Sequence, residues 1–325
     1  MNPATTKILV TGAAGQIGTE LLKALRTRFG RDGVIASDIQ VSRGSDIRES
    51  GPFEFCDVTK KSEIEAVVAA GAVGTIYHMA AILSATGEKN PGLAWDVNIN
   101  GTYNILEIAR EKKLRVFVPS SIAAFGPETP RVDTPQDTIL KPRTMYGVTK
   151  VAGELLADYY ARKFGVDVRG CRFPGIISHE TLPGGGTTDY AVAIFYEAVK
   201  NGRYTCFLRE DSRLPMMYMP DCLKSILDLM DADFARLRHH ADFNVAAMSF
   251  TPGELAAEIR RHIPGFIADY QPDFRQAIAD SWPESLDDSA ALEEWGWSPD
   301  FDLAAMTKDM IAVLSRRRDE GRLNY

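Results

Sequence analysis

Lys7-Ile-Leu-Val-Thr-Gly-Ala-Ala-Gly-Gln-Ile-Gly18 is the stretch whose reading decides the fold. Its short apolar run, Ile8-Leu9-Val10, has the pattern of a strand buried on both faces of a parallel sheet. The run feeds directly into a turn with glycines at 12, 15 and 18. Gly12 lacks the Cβ that would obstruct a tight turn, and Gly15 and Gly18 let the backbone and the next helix come close to a pyrophosphate. That helix shows an apolar face at Ile17, Leu21, Leu22 and Leu25, and its first N–H groups point at the anion. The spacing Gly-x-x-Gly-x-x-Gly is one residue wider in its first interval than the usual dinucleotide fingerprint.

Outward from this turn the chain alternates strands and helices. A second buried strand, Gly33 to Asp38, ends in a carboxylate about 20 residues beyond the last glycine, the interval at which an acid holds a ribose 2′-hydroxyl. An acid there repels a 2′-phosphate, so NAD is expected rather than NADP; Arg43 is the nearby cation that bears on this choice, and a solvated strand-end Asp is the plainer alternative. Phe53 to Asp57 reads as a third strand, with Asp57 and Val58 at its exit, where an adenine amine would meet the Asp57 carboxylate. A helix over Lys60 to Ala70 and a strand over Thr75 to Ser84 follow. In that strand the small residues Ala80 and Ala81, after Met79, would let a dinucleotide lie against the backbone. His78, in the same apolar run, is read as a core histidine rather than a catalyst.

Pro91 to Lys113 reads as one long helix with broad apolar coverage. Asn98 lies inside it and either braces the active site or faces solvent. Arg115 to Ser121 is the next strand, whose exit puts the hydroxyls of Ser120 and Ser121 at the carboxyl edge of a parallel sheet, where open α/β folds bind ligands. Tyr146-Gly-Val-Thr-Lys150 opens a helix on which the phenol and the ammonium, four residues apart, share one face. Val166 to Phe173 supplies a sixth strand and Phe243 to Ala247 a seventh. The fold class is therefore α/β, a doubly wound parallel sheet of Rossmann type with a smaller C-terminal substrate lid. Residues 1–173 form the dinucleotide-binding domain, with a returning segment near 219–248; residues 174–218 and 249–325 form the lid, which shows no strand–helix alternation of its own.

With 325 residues, 45% hydrophobic and 25% charged, the chain has ordinary globular composition, and a net charge of −7 argues against non-specific nucleic-acid binding. The basic run Arg316 to Arg318 is followed by two acids and reads as a solvated helix end. Cys56, Cys171, Cys206 and Cys222 form no Cys-x-x-Cys pair, which points to free thiols in a reducing compartment. No His or Cys grouping has metal-ligand spacing, so no metal is expected. Met1 to Thr6 is too short for a signal peptide and no apolar run approaches the ~20 residues of a membrane span; the expectation is a cytoplasmic protein without a membrane partner.

The glycine turn, Asp38, Ser121 and Tyr146-x-x-x-Lys150 together resemble the extended short-chain dehydrogenase/reductase superfamily, in which the wider glycine spacing is usual. Arg172 to Ser178, Pro183 to Ala191, Leu214 to Asp221, Ser281 to Asp288 and Trp295-Gly-Trp297 are similar to the branch of epimerase-like L-threonine 3-dehydrogenases over nearly the whole chain. Two positions depart from nucleotide-sugar enzymes: Gly175 stands where those usually carry Asn, and Leu214 where they carry a diphosphate-binding Arg, with Arg213 next to it. The resemblance implies a catalytic triad of Ser121, Tyr146 and Lys150. It places NAD on Gly12, Gly15, Gln16, Ile17, Gly18, Asp38, Asp57, Val58, Met79, Ala80, Ala81, Asn98, Tyr146, Lys150 and Pro174, and makes L-threonine the substrate and a homodimer the assembly, paired through the helices around Asn98 and Tyr146.

Oxidising a secondary alcohol needs a base for the hydroxyl proton. A lysine cation four residues on favours the phenolate, so the pKa of Tyr146 is expected to fall from its ordinary value of about 10. Ser121 would hold the substrate oxygen, Thr187 or Thr188 the substrate carboxylate at the head of a helix, and Ser84 a supporting contact; plain helix capping is the alternative for the two threonines. The Gly-rich loop Leu182 to Thr188 is expected to be mobile without substrate. A nucleotide-sugar epimerase or dehydratase, and a non-catalytic NAD-binding regulator, are the rival functions.

Overall fold

The computed structural model describes residues 6–41, 46–180 and 186–323. Fourteen strands are present among them: β1 (Lys7–Thr11), β2 (Val34–Asp38), β3 (Phe53–Phe55), β4 (Val73–His78), β5 (Arg115–Phe117), β6 (Ser120–Ser121), β7 (Val168–Arg169), β8 (Cys171–Phe173), β9 (Gly175–Ile177), β10 (Arg203–Cys206), β11 (Leu214–Tyr218), β12 (Phe243–Asn244), β13 (Met248–Phe250) and β14 (Ile267–Tyr270). The central sheet is parallel throughout, in the order β3-β2-β1-β4-β5-β7. β1 sits in its middle with Leu9 and Val10 fully buried, as a run apolar on both faces demands. The order reverses between β1 and β4, which opens a crevice at the carboxyl ends of those two strands.

Two expected strands are broken in two. Pro119 has no N–H to give the ladder, so β5 and β6 are separate pieces, and Gly170 separates β7 from β8 by turning its N–H to the carbonyl of His240 at 2.9 Å. The second pieces keep pairing in parallel, β6 with β8 and β8 with β12, so the expected seventh strand joins as β12 and is only two residues long.

The strand expected over Thr75 to Ser84 ends early, at His78. Its last ladder bond is Met79 N–H to Thr11 O at 3.0 Å. Beyond it the chain is pulled out of the sheet: Ala80 packs on the Gly12 turn, and Asn98 takes both backbone groups of Ile82. The long helix expected over Pro91 to Lys113 is interrupted by a π-helical turn, Asp96–Asn100, between Pro91–Trp95 and Gly101–Lys112. Such turns widen the helix and swing a side chain out of the usual register, here that of Asn98.

The lid expected to lack strand–helix alternation does contain it. β9 and β11 pair in parallel with β13 antiparallel on the far side of β11, and β10 and β14 form a second parallel pair. These strands are three to five residues long, and Leu214–Tyr218 is buried at every position, so no alternation marks it in the sequence. The helices Tyr190–Asn201, Pro252–His262 and Leu303–Asp319 pack around them on a core that includes Phe195, Met216, Tyr218, Leu255 and Met310. The core also takes in Ile122 and Phe125 from the loop after β6, so the lid is fastened to the edge that carries Ser121. All four cysteines are buried and free. No helix among the described residues is long and apolar enough to cross a membrane.

Candidate active site

The turn after β1 is built as its glycines require. Gly12 has φ +66°, and a Cβ on it would stand 2.5 Å from the backbone N of Ala80. A Cβ on Gly18 would stand 2.2 Å from the carbonyl O of Gly12, so this glycine serves the contact between helix and turn as well as the approach of an anion. Gly15 caps the helix Gln16–Phe29 with no side-chain bond, leaving the first N–H groups facing the cleft. Asp38, at the end of β2, accepts from Ala14 N–H at 3.0 Å and Ile39 N–H at 2.8 Å, which fixes its carboxylate beside the turn. Arg43 lies outside the described residues. Asp57 accepts at one oxygen from the N–H of Thr59 at 3.0 Å and its hydroxyl at 2.7 Å. Burial works against its charged form, but these bonds and Lys60 outweigh it and hold the carboxyl below its ordinary range.

Two clefts meet over this turn. One, of about 1150 Å³, is lined by Gly12, Gly15, Asp38, Asp57, Val58, Met79, Ala80 and Ala81 among others. The other, of about 1060 Å³, is lined by Gly15, Gln16, Ile17, Gly18, Met79, Ala81, Ser84, Ser121, Tyr146, Lys150, Pro174, Thr187 and Thr188, together with Gly175, Ile176, Asp189 and Trp282. The first offers an acceptor for a ribose at Asp38 and the second a helix N-terminus for a diphosphate, so the residues present fit a dinucleotide laid across both.

Asn98 lines neither cleft. It is 6% exposed and donates to Ile82 O at 3.0 Å and Thr149 Oγ1 at 3.0 Å while accepting from Ile82 N–H at 2.8 Å. These bonds make it the brace of the two alternatives, tying the loop after β4 to the helix Met145–Phe164. His78 is a core histidine: it is 2% exposed, its Nδ1 pairs with the Thr11 hydroxyl at 2.8 Å, and burial, helped by the charge of Lys150, pushes it down to about 3.

Tyr146 and Lys150 open the helix Met145–Phe164, which is capped by the Thr144 hydroxyl accepting from Gly147 N–H. The phenol of Tyr146 is hydrogen-bonded to Ser121. Lys150 stands with its Nζ 5.3 Å from the centre of the Tyr146 ring and donates to Pro119 O at 2.7 Å. The expected fall in the Tyr146 pKa is not what the site produces. Burial pushes the phenol up to about 12, against a smaller effect of the Ser121 bond, and pushes Lys150 down to about 8, against the pull of the Glu154 carboxylate. The ammonium spends its hydrogen bond on a carbonyl rather than on the phenol, and desolvation disfavours the charged form of each.

In the lid, Gly175 makes room for Thr188. A Cβ at 175 would stand 2.7 Å from the Cβ of Thr188 and 2.4 Å from the sulfur of Met216. Thr187 is 1% exposed, and its hydroxyl has no hydrogen-bond partner among the described residues. The cap position of the helix Tyr190–Asn201 is Asp189, with no side-chain cap bond, so the capping alternative does not account for Thr187. Leu182 to Gly185 lie outside the described residues. Leu214 is fully buried, and Arg213 beside it is engaged with Ser249 O at 2.9 Å and Glu254 at 2.5 Å. Trp282 also lines the second cleft. It stands inside the quoted Ser281 to Asp288 segment, and nothing in its spacing assigns it a place there.

The chain belongs to the NAD-dependent epimerase/dehydratase family, whose sequence profile matches residues 8–246. A curated relative, an uncharacterized epimerase/dehydratase of Staphylococcus haemolyticus, is 52% identical over 312 residues, covering 96% of this chain and 98% of the relative. The crystal structure of an L-threonine dehydrogenase from Clostridium difficile superposes with a TM-score of 0.95 at 52% identity, covering 98% of this chain and 99% of the other. A monomeric L-threonine 3-dehydrogenase from a metagenome, in its apo form, superposes with a TM-score of 0.92 at 48% identity, covering 95% and 99%. The protein is an NAD-dependent enzyme of the extended short-chain dehydrogenase/reductase type.

Proposed function

We propose that this enzyme oxidises the 3-hydroxyl of L-threonine with NAD, giving L-2-amino-3-oxobutyrate. The observation that carries the proposal is the buried hydroxyl of Thr187, without a partner among the described residues, in the same cleft as Ser121, Tyr146 and Lys150. A buried hydroxyl without a partner costs about 1–3 kcal/mol, a cost relieved when a ligand bonds it. No arginine among the described residues lines this cleft, so the substrate carboxylate is held by the hydroxyls of Thr187 and Thr188 and by N–H groups near the head of the helix Tyr190–Asn201, with Ser84 in support. Gly175 provides the seat for Thr188, and the engagement of Arg213 with Ser249 and Glu254 leaves a sugar diphosphate without that partner.

When bound, NAD supplies the hydride acceptor. Asp38 would accept from the ribose hydroxyls, the residues of the glycine turn and Pro174 would border the dinucleotide, and Lys150 would hold the nicotinamide ribose. Ser121 bonds the substrate oxygen and steadies it as alkoxide character develops. The C3–H bond breaks with its electron pair leaving as hydride, the hydroxyl proton passes to the phenolate of Tyr146, and the C=O bond forms. Charge on Lys150 favours that phenolate, so the proton lost beforehand belongs to the Tyr146–Lys150 pair rather than to either alone. Thr187, Thr188 and Trp282, which line the cleft, cover the substrate and keep water from it.

The test is NADH formation with purified protein, NAD and L-threonine, set against L-serine, L-allo-threonine and UDP-galactose. Selective turnover of L-threonine is expected; turnover of UDP-galactose instead would replace this function by the epimerase one. The chain works as a homodimer in the cytoplasm, where its four thiols stay reduced. Support for the dimer comes from an exposed apolar face, with Tyr103 on one helix and Val148, Leu155 and Tyr159 on the helix Met145–Phe164 beside it.

A further inference from the structure

One turn beyond Lys150, the same helix carries a buried carboxylate that the reaction as described does not use. Glu154 is 6% exposed. Arg172 on β8 grips it with two bonds, Nε to Oε1 at 3.0 Å and Nη2 to Oε2 at 2.8 Å, and the Ser120 hydroxyl donates to Oε1. Arg172 is itself 3% exposed and also donates to Gln136 O at 2.8 Å. Ser120 stands between Pro119, whose carbonyl holds Lys150, and Ser121, which holds Tyr146. Glu154 therefore grips, through one carboxylate, the three elements that carry or flank the triad.

An ion pair buried this deeply gains little net stability over apolar residues of the same volume. A negative charge four residues from a lysine on one helix face, in a poorly solvated site, acts on that lysine directly. Glu154, Lys150, Ser120 and His78 line one small cavity that shares Ser120 and Lys150 with the cleft. The groups facing Lys150 are Tyr146 and Glu154 from its own helix and His78 from β4; Arg172 on β8 is paired with Glu154, and Asp242 ahead of β12 stands 3.7 Å from Arg172. His78 is neutral, and Glu154 is the carboxylate lining this cavity whose charge favours the ammonium.

We propose that Glu154 is a positioning residue for the reaction: through Ser120 it sets Pro119–Ser121 against the helix, and its charge holds Lys150 as the ammonium ion that Tyr146 needs. The proposal rests on the roles given above to Tyr146 and Lys150, but its first test needs no substrate. In protein labelled with ¹³Cε-lysine, the Lys150 resonance, assigned by its loss in Lys150→Ala, reports protonation directly. Glu154→Gln should lower its midpoint by about one pH unit or more. Because Arg172 is then left unpaired, Glu154→Gln/Arg172→Gln keeps the test alive if the single variant fails to fold. The double variant should also titrate below wild type, since the carboxylate that acts on Lys150 is lost from it as well. Glu154→Asp, which keeps the charge, should stay near wild type.

In NADH formation, Glu154→Gln should alter the pH profile and lower kcat more than it raises KM. A Lys150 midpoint unchanged in the folded Gln variants overturns the electrostatic role whatever the substrate. A shifted midpoint in a protein that never oxidises L-threonine upholds it while removing the proposed function.

Discussion

At Tyr146 the site holds a phenol that burial drives toward about 12 beside a lysine that burial drives toward about 8. Oxidation needs the base form of this pair, so activity should rise with pH as the pair loses its proton and be weak below neutrality. A kcat/KM for threonine that is flat from pH 6 to 10 would sink this assignment. Tyr146→Phe removes the proton acceptor and little volume, and should cost on the order of 10²-fold or more in kcat while NAD binding persists; equal losses in both would mean a collapsed site. Thr187→Val deletes one hydroxyl at nearly constant volume. Loss of a bond to a charged group is worth about 1.5–3 kcal/mol, or about 10–100-fold in kcat/KM for threonine. The melting temperature should hold or rise, because the hydroxyl removed has no partner among the described residues. A lower melting temperature with unchanged kinetics would make Thr187 structural. Asp38→Ala should erode the preference for NAD over NADP, read as the ratio of the two kcat/KM values.

Among the elements, the π-helical turn Asp96–Asn100 does the least expected work. It turns Asn98 toward Ile82 and Thr149, and so joins the loop that borders both clefts to the helix bearing Tyr146 and Lys150. Asn98→Ala leaves buried backbone groups unpaired and should cost about 2–3 kcal/mol in urea unfolding. It should weaken NAD binding and turnover together; a loss of turnover at full stability would show that the amide touches ligand rather than braces the loop. The helix periodicity of Pro91 to Lys113 was legible in the sequence, whereas the π turn was not, because an extra residue in one turn leaves the apolar pattern on either side nearly intact.

For the whole molecule, Leu155 is 66% and Tyr159 52% exposed on the helix whose inner face holds Tyr146 and Lys150. Solvent contact with large apolar groups clustered on one face favours a partner of the same kind. Sedimentation at micromolar concentration should give a dimer, and Leu155→Arg should shift it to monomer. A wild-type monomer under those conditions would remove the homodimer.

The sequence by itself determined the alternation of strands and helices, the glycine turn, the strand-end place of Asp38 and the shared helix face of Tyr146 and Lys150, because each rests on local spacing: a buried run, a turn that tolerates no Cβ, two residues four apart on a helix. The tertiary structure alone decided what depends on distant parts of the chain meeting. The strands of the lid are too short and too evenly buried to show a period. Asn98 became a brace only when Ile82, held out of the sheet by the Gly12 turn, presented both backbone groups to it. The phenol and the lysine moved away from the protonation expected of neighbours in water, since desolvation depends on everything packed around them. Trp282 reached the cleft and Arg172 reached Glu154 from segments more than a hundred and about eighteen residues away, contacts that no local pattern encodes.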